Sequence, residues 1–282
     1  MTGIIFGIIS MLSFGFNNFL VAIMSRRIGA FRATFWFQAF GSLVLLALSF
    51  FLFQHFAATP YVIALILLVS LVGVLALLAF MKGLEVGNVP VVATVSSGWS
   101  IVTVLLSVVL LGEGLAPTQT LAIALAIAGT LLLSYRPRAR MRPHSKKDTG
   151  LKYAFMVVIG WGLFYFLLNL LVRDIGWFTA LFITTPIGFA MQALYGVIAR
   201  SRMTIARGRI PRLAMMGAIN VAGALAFDLG VTYNYAAIVA PITAAAPLVV
   251  VVLGVAFLKE RLMRNQTLGI ALVITGLILL SL

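Results

Sequence analysis

Residues 110–134 read LLGEGLAPTQTLAIALAIAGTLLLS, and residues 257–281 read FLKERLMRNQTLGIALVITGLILLS. The two stretches align without a gap at an offset of 147 residues. Glu113 meets Glu260, Leu115 meets Leu262, and Gln119-Thr120-Leu121 meets Gln266-Thr267-Leu268. Gly129 falls on Gly276, and Leu132-Leu133-Ser134 on Leu279-Leu280-Ser281. Working outward at the same offset, Gly83 pairs with Gly230 and Ala79-Phe80 with Ala226-Phe227, giving about 38 identities over 135 positions. Shared apolar composition alone would give roughly 10%. The chain is an internal duplication.

Its solvent is lipid. Of 282 residues, 63% are hydrophobic and 9% charged, with a mean hydropathy of +1.16. Soluble domains carry about 25% charged residues, because their exterior has to be polar. This composition excludes a soluble enzyme, a disordered tail and a nucleic-acid-binding domain, although the formal charge is +14. The chain has no cysteine, so it has neither disulfides nor thiolate metal sites. His55 and His144 fall in connecting segments, which leaves no intramembrane histidine site. The first residues carry no basic n-region, and the apolar run to Met24 reads as a span rather than a signal peptide.

Runs of about 20 apolar residues cross a bilayer core. Ten such runs lie near 3–24, 33–53, 61–81, 88–111, 118–135, 151–172, 177–199, 212–235, 238–258 and 266–282. Continuous hydrophobicity favours helices over a barrel. The expected fold is an all-α integral membrane protein of ten transmembrane helices. It divides into a first repeat over 1–135, a basic linker over 136–150 and a second repeat over 151–282. Nineteen of the 20 Lys and Arg lie in one set of connections, and only Arg173 lies on the other side. The positive-inside rule then places the linker in the cytoplasm and both termini outside it. Five spans per repeat is an odd number, so the two repeats are inverted, a construction used by secondary transporters.

With its five-plus-five arrangement, its Glu-x-Leu turns at Glu113 and Glu260, and mid-span Gly129 and Gly276 in the helices that follow, the chain resembles the drug/metabolite transporter superfamily, in its ten-helix EamA branch. Pro247 in the ninth span also matches that branch, whereas the first repeat has Ser100 at the corresponding position. The resemblance implies that the fifth and tenth helices are scaffold and that the other eight enclose a cavity. Familiar members have cytoplasmic termini, and this chain departs from them. It also lacks the first-helix glutamate through which small four-helix relatives couple protons, so their proton mechanism does not carry over.

The candidate substrate-binding residues are Asn17, Asn18, Ser96, Trp99, Ser100, Trp161, Tyr165, Asp228 and Thr232. Asp228 is the one acid well inside a span, where a carboxylate costs at least about 2.5 kcal/mol and normally faces protein or water. It is a site for a proton or a substrate amine, or else a structural acceptor. Helical spacing puts Thr232 and Tyr235 near its face as a polar strip. Asn17 and Asn18 lie in the cytoplasmic half of the first span and either face the cavity or bridge helices. Ser96 and Ser100, at i and i+4, share a face beside Trp99, and Trp161 and Tyr165 do the same in the sixth span. Hydroxyls with aromatics suit an amphipathic organic substrate, and equally serve helix packing. Thr184-Thr185-Pro186, Pro241 and Pro247 mark helix bends. The glycines at 129, 269 and 276 allow close packing.

No catalytic constellation, metal site, nucleotide-binding loop or cofactor motif occurs. The expected partners are a small-molecule substrate and the lipid bilayer, without nucleic acid. The expected activity is gradient-driven export of a small organic metabolite, such as an amino acid or related compound, across the cell inner membrane by alternating access. A lipid or lipid-linked-sugar flippase is the alternative within transport. A membrane-embedded lipid-handling enzyme or scaffold is the alternative outside it.

Overall fold

The computed structural model describes residues 1–87, 89–135, 149–259 and 261–281. Apolar segments in lipid must satisfy their own backbone hydrogen bonds, and they do so here as helices. The first repeat comprises α1 (Thr2–Ile28), α2 (Ala30–Leu52), α3 (Pro60–Val86), α4 (Val89–Ser96), α5 (Trp99–Leu111) and α6 (Pro117–Ser134). The second comprises α7 (Thr149–Ile175), α8 (Trp177–Ile198), α9 (Ile210–Tyr233), α10 (Ala236–Ala244), α11 (Pro247–Leu258) and α12 (Arg264–Ser281), with a single 3-10 turn at Arg207–Arg209. Among the described residues nine segments are long and apolar enough to cross a membrane, counting α4 with α5 and α10 with α11. The shorter α12 completes the ten-helix bundle of two inverted five-helix repeats.

One expectation needs correction. The fourth and ninth spans are not continuous helices: Ser97-Gly98 separates α4 from α5, and Ala245-Ala246 separates α10 from α11. Residues 136–148, including His144, lie outside the described residues, as do Glu260 and Leu282.

Local chemistry repeats with the sequence. Gly29 (φ 90°, ψ 149°) and Gly176 (φ 84°, ψ 154°) are 147 residues apart, and each makes the one-residue turn between the first two helices of its repeat. That backbone region is essentially closed to side chains with a Cβ. The repeated Gln-Thr-Leu also has a structural cause. Ala116 N–H donates to Gln119 Oε1 at 3.0 Å and Met263 N–H to Gln266 Oε1 at 3.1 Å, so each glutamine caps the start of its scaffold helix.

The repeats interleave. α6 packs along α12, α3 along α7, and α1 along α9, the last two being the same pairing with the repeats exchanged. At the scaffold crossing a Cβ on Gly129 would sit 2.7 Å from the Gly269 carbonyl, and one on Gly276 would sit 2.7 Å from that of Ala122. Small residues let these backbones touch, which is how helices associate without a hydrophobic driving force. The largest apolar cluster joins α3, α7, α8, α9 and α10 through residues such as Val69, Leu171, Phe227 and Val239.

Candidate functional site

The two helix breaks fall within one residue of corresponding positions, since Ser97-Gly98 maps onto Ala244-Ala245 and the second break is Ala245-Ala246. Each is tightened by i to i+3 bonds, from Gly98 N–H to the Val95 carbonyl and from Ala246 N–H to that of Thr243. In the second repeat Pro247 supplies no N–H, so the break is written into the sequence. In the first repeat Gly98 does the work with no proline. A helix from the other repeat presses on each break. A Cβ on Gly162 of α7 would lie 2.7 Å from the Trp99 carbonyl, and one on Gly15 of α1 would lie 2.8 Å from that of Ala246.

Beside the breaks stand hydroxyls that the protein does not satisfy. Ser96, which ends α4, and Thr243, its repeat counterpart in α10, are both buried, and neither hydroxyl has a partner among the described residues. Ser100 is buried one turn on, but it belongs to α5, so the i,i+4 face expected of Ser96 and Ser100 is interrupted by the break. Trp99 opens α5 and stacks on Tyr165 of α7 with ring centroids 4.2 Å apart. Tyr165 also meets Phe227 at 4.6 Å. Trp161, one turn away on α7, is only partly buried and packs on Phe80 of α3 at 5.1 Å.

Asp228 in α9 is fully buried, and both carboxylate oxygens lack a hydrogen-bond partner among the described residues. A buried acid in this state is expensive unless a ligand, proton or cation serves it. Asn169, one turn beyond Tyr165 on α7, is equally buried and equally unpartnered. Asn17 in α1 donates from Nδ2 to Asn220 Oδ1 of α9 at 3.2 Å, and its own Oδ1 is unsatisfied.

Thr232 does not belong to this group. It is exposed, and its hydroxyl donates to the backbone carbonyl of Asp228 at 2.8 Å, the usual back-bond of threonine in a helix. Tyr235 is also exposed, because α9 ends at Tyr233 and the helical spacing fails beyond it. The polar strip from Asp228 to Tyr235 is therefore absent. Asn18 is exposed while Asn17 is buried, so the two adjacent amides part company. A cavity of about 310 Å³, lined by Leu20, Ile23, Arg27, Arg212 and Met215 among others, lies at the basic ends of α1 and α9 and touches none of the candidate residues.

A chain built from two such five-helix repeats has known relatives. The model of the EamA-like transporter family matches residues 1–135 and again 148–282. The chain belongs to the EamA-like transporter family. A solved structure described only as a crystal structure of a protein superposes on 99% of this chain and 96% of its own, with a TM-score of 0.82 at 17% sequence identity. At that identity the likeness concerns the fold. No curated protein matches the chain.

For this EamA-like chain the residues missed in the sequence were Asn169, Asn220 and Thr243. Thr243 was accessible through the repeat, as the counterpart of Ser96. Asn169 and Asn220 are amides within apolar runs, the same signal that singled out Asn17.

Proposed function

We propose that this EamA-like protein is a secondary active transporter that exports a small amphipathic organic metabolite, an amino acid or related compound, by alternating access. The observation that carries the reading is the pair of helix breaks within one residue of corresponding positions, each beside a buried hydroxyl with no partner among the described residues. Discontinuous helices at a repeat interface are where such transporters bind substrate. We assign binding to Ser96, Trp99, Ser100 and Tyr165 around one break, with Trp161 at the edge. Asn17, Asn169 and Asp228 supply polar groups, and Asp228 takes a proton or a substrate amine. Aromatic faces beside a few convergent polar groups suit a molecule with both an apolar body and a charged or amide head.

We place the protein in the cell inner membrane with both termini extracytoplasmic, on the strength of the 19 basic residues concentrated in one set of connections. The test is a thermal-shift screen of the purified protein against small metabolites, followed by flux measurements of the hits in proteoliposomes. A stabilising metabolite carried at a saturable, gradient-dependent rate is the expected result. Stabilising ligands that never cross the membrane would overturn the transport assignment.

A further inference from the structure

We propose that Glu113, held by Arg173, is the gate residue that keeps one face of the bundle shut, the face on which α1 begins, and that its release opens that face. The inference rests on the transport reading above, but its test needs no substrate.

Glu113 sits in the short turn between α5 and α6 and is nevertheless only 3% exposed. Arg173 Nη2 donates to its Oε1 at 2.6 Å, and Ala237 N–H donates to its Oε2 at 2.9 Å. Arg173 lies in the last turns of α7, and Ala237 in the first turn of α10. A cation near a helix C-terminus and an anion at a helix N-terminus both complement the backbone dipoles. The carboxylate comes from the first repeat and both donors from the second. One side chain thus ties the α5–α6 turn to the outer half of the broken ninth span, and on this face α5 packs along α10. The face cannot open between these helices while that carboxylate holds both.

Among the described residues the opposite face shows no equivalent closure. There the repeat-related helices α4 and α11 do not pack along each other among the described residues. Arg26, the counterpart of Arg173, is exposed and makes no ion pair among the described residues. Pro90 stands where Ala237 stands and has no N–H to donate. A latch at one end, with none at the other among the described residues, is what alternating access asks of a single conformation.

The chain has no cysteine, so single-cysteine labelling reports one site at a time. Ser107→Cys places a thiol at a fully buried position of α5, on the latched side. Ser25→Cys places a control near the far end of α1. Each is reacted with a maleimide in nanodiscs, with and without Glu113→Gln. Losing one charge-assisted bond is expected to raise Ser107→Cys labelling about tenfold, with no rise at Ser25→Cys. A Ser107→Cys rate unchanged within about twofold would overturn the proposal. So would an equal rise at both sites, which signals general loosening. Arg173→Gln, which keeps the Ala237 bond, gives the same comparison if Glu113→Gln does not fold. A labelling response without any transported substrate would sustain the latch while failing the transport reading. Transport with unchanged labelling would do the reverse.

Discussion

Asn17 Nδ2 donates to Asn220 Oδ1 at 3.2 Å, and at the two repeat-related positions Phe164 instead lies against Gly73. The same crossing of α1 on α9 and of α7 on α3 is thus bridged by amides in one case and by an aromatic ring in the other. The interior keeps the symmetry of the backbone and breaks it in chemistry. At these positions α7 carries Phe164 and Tyr165 where α1 carries Asn17 and Asn18.

This asymmetry predicts the outcome of transplanting one pairing onto the other. Asn220→Gly alone leaves the buried Asn17 amide without a partner and should destabilise by about 1–3 kcal/mol. Adding Asn17→Phe reproduces the Phe164–Gly73 arrangement and should recover most of that loss. Thermal unfolding of the single and double variants in detergent measures it. A double variant less stable than Asn220→Gly would show that the two crossings are not interchangeable.

Asp228→Asn removes a titratable charge while keeping the shape of a buried side chain. The variant should insert and fold, transport at least about tenfold more slowly, and show a flattened pH dependence. Flux against pH in proteoliposomes separates the roles, because a structural acceptor would cost stability and spare transport.

Thr232→Val tests the exclusion of a residue that helical spacing had placed beside Asp228. Its hydroxyl serves only its own helix, so stability should change by less than about 0.5 kcal/mol and transport should be unaffected. A transport defect in this variant would return Thr232 to the site.

The scaffold crossing should be intolerant of a single methyl group. A Cβ at Gly276 meets the Ala122 carbonyl at 2.7 Å and the Ala126 nitrogen at 3.0 Å, and backbone cannot move aside as a side chain can. Gly276→Ala is expected to cost about 1–3 kcal/mol. A melting temperature equal to that of the wild type would show that α6 and α12 pack more loosely than the structure has them.

The spans, the duplication and the scaffold glycines were legible because hydrophobicity and register are written residue by residue. The first helix break was not, since serine and glycine also occur within continuous spans and Ser97-Gly98 has no proline beside it, whereas Pro247 marks its partner. Tyr235 was misplaced because helical spacing was extended past Tyr233, where α9 ends, and Thr232 because a position one turn from a buried acid is itself exposed. The Glu113 latch was hidden for a different reason. Its donors come from α7 and α10, and a turn glutamate carries no sign of the long-range partners that bury it.

The proposed orientation rests on charge alone. A fluorescent reporter that folds only in the cytoplasm, fused after Leu282, should stay dark while the same reporter within the 136–148 segment lights up. The reverse pattern would invert the topology and leave the fold intact.

The central claim is that substrate binds at the paired helix breaks and crosses from there. Its most direct measurement is flux of a thermally stabilising metabolite in proteoliposomes, comparing wild type, Trp99→Ala, Asp228→Asn and Thr232→Val. The account predicts saturable flux without ATP in the wild type and Thr232→Val, and a loss of about tenfold or more in the other two with the protein still folded. Equal flux in the wild type and all three variants would contradict it.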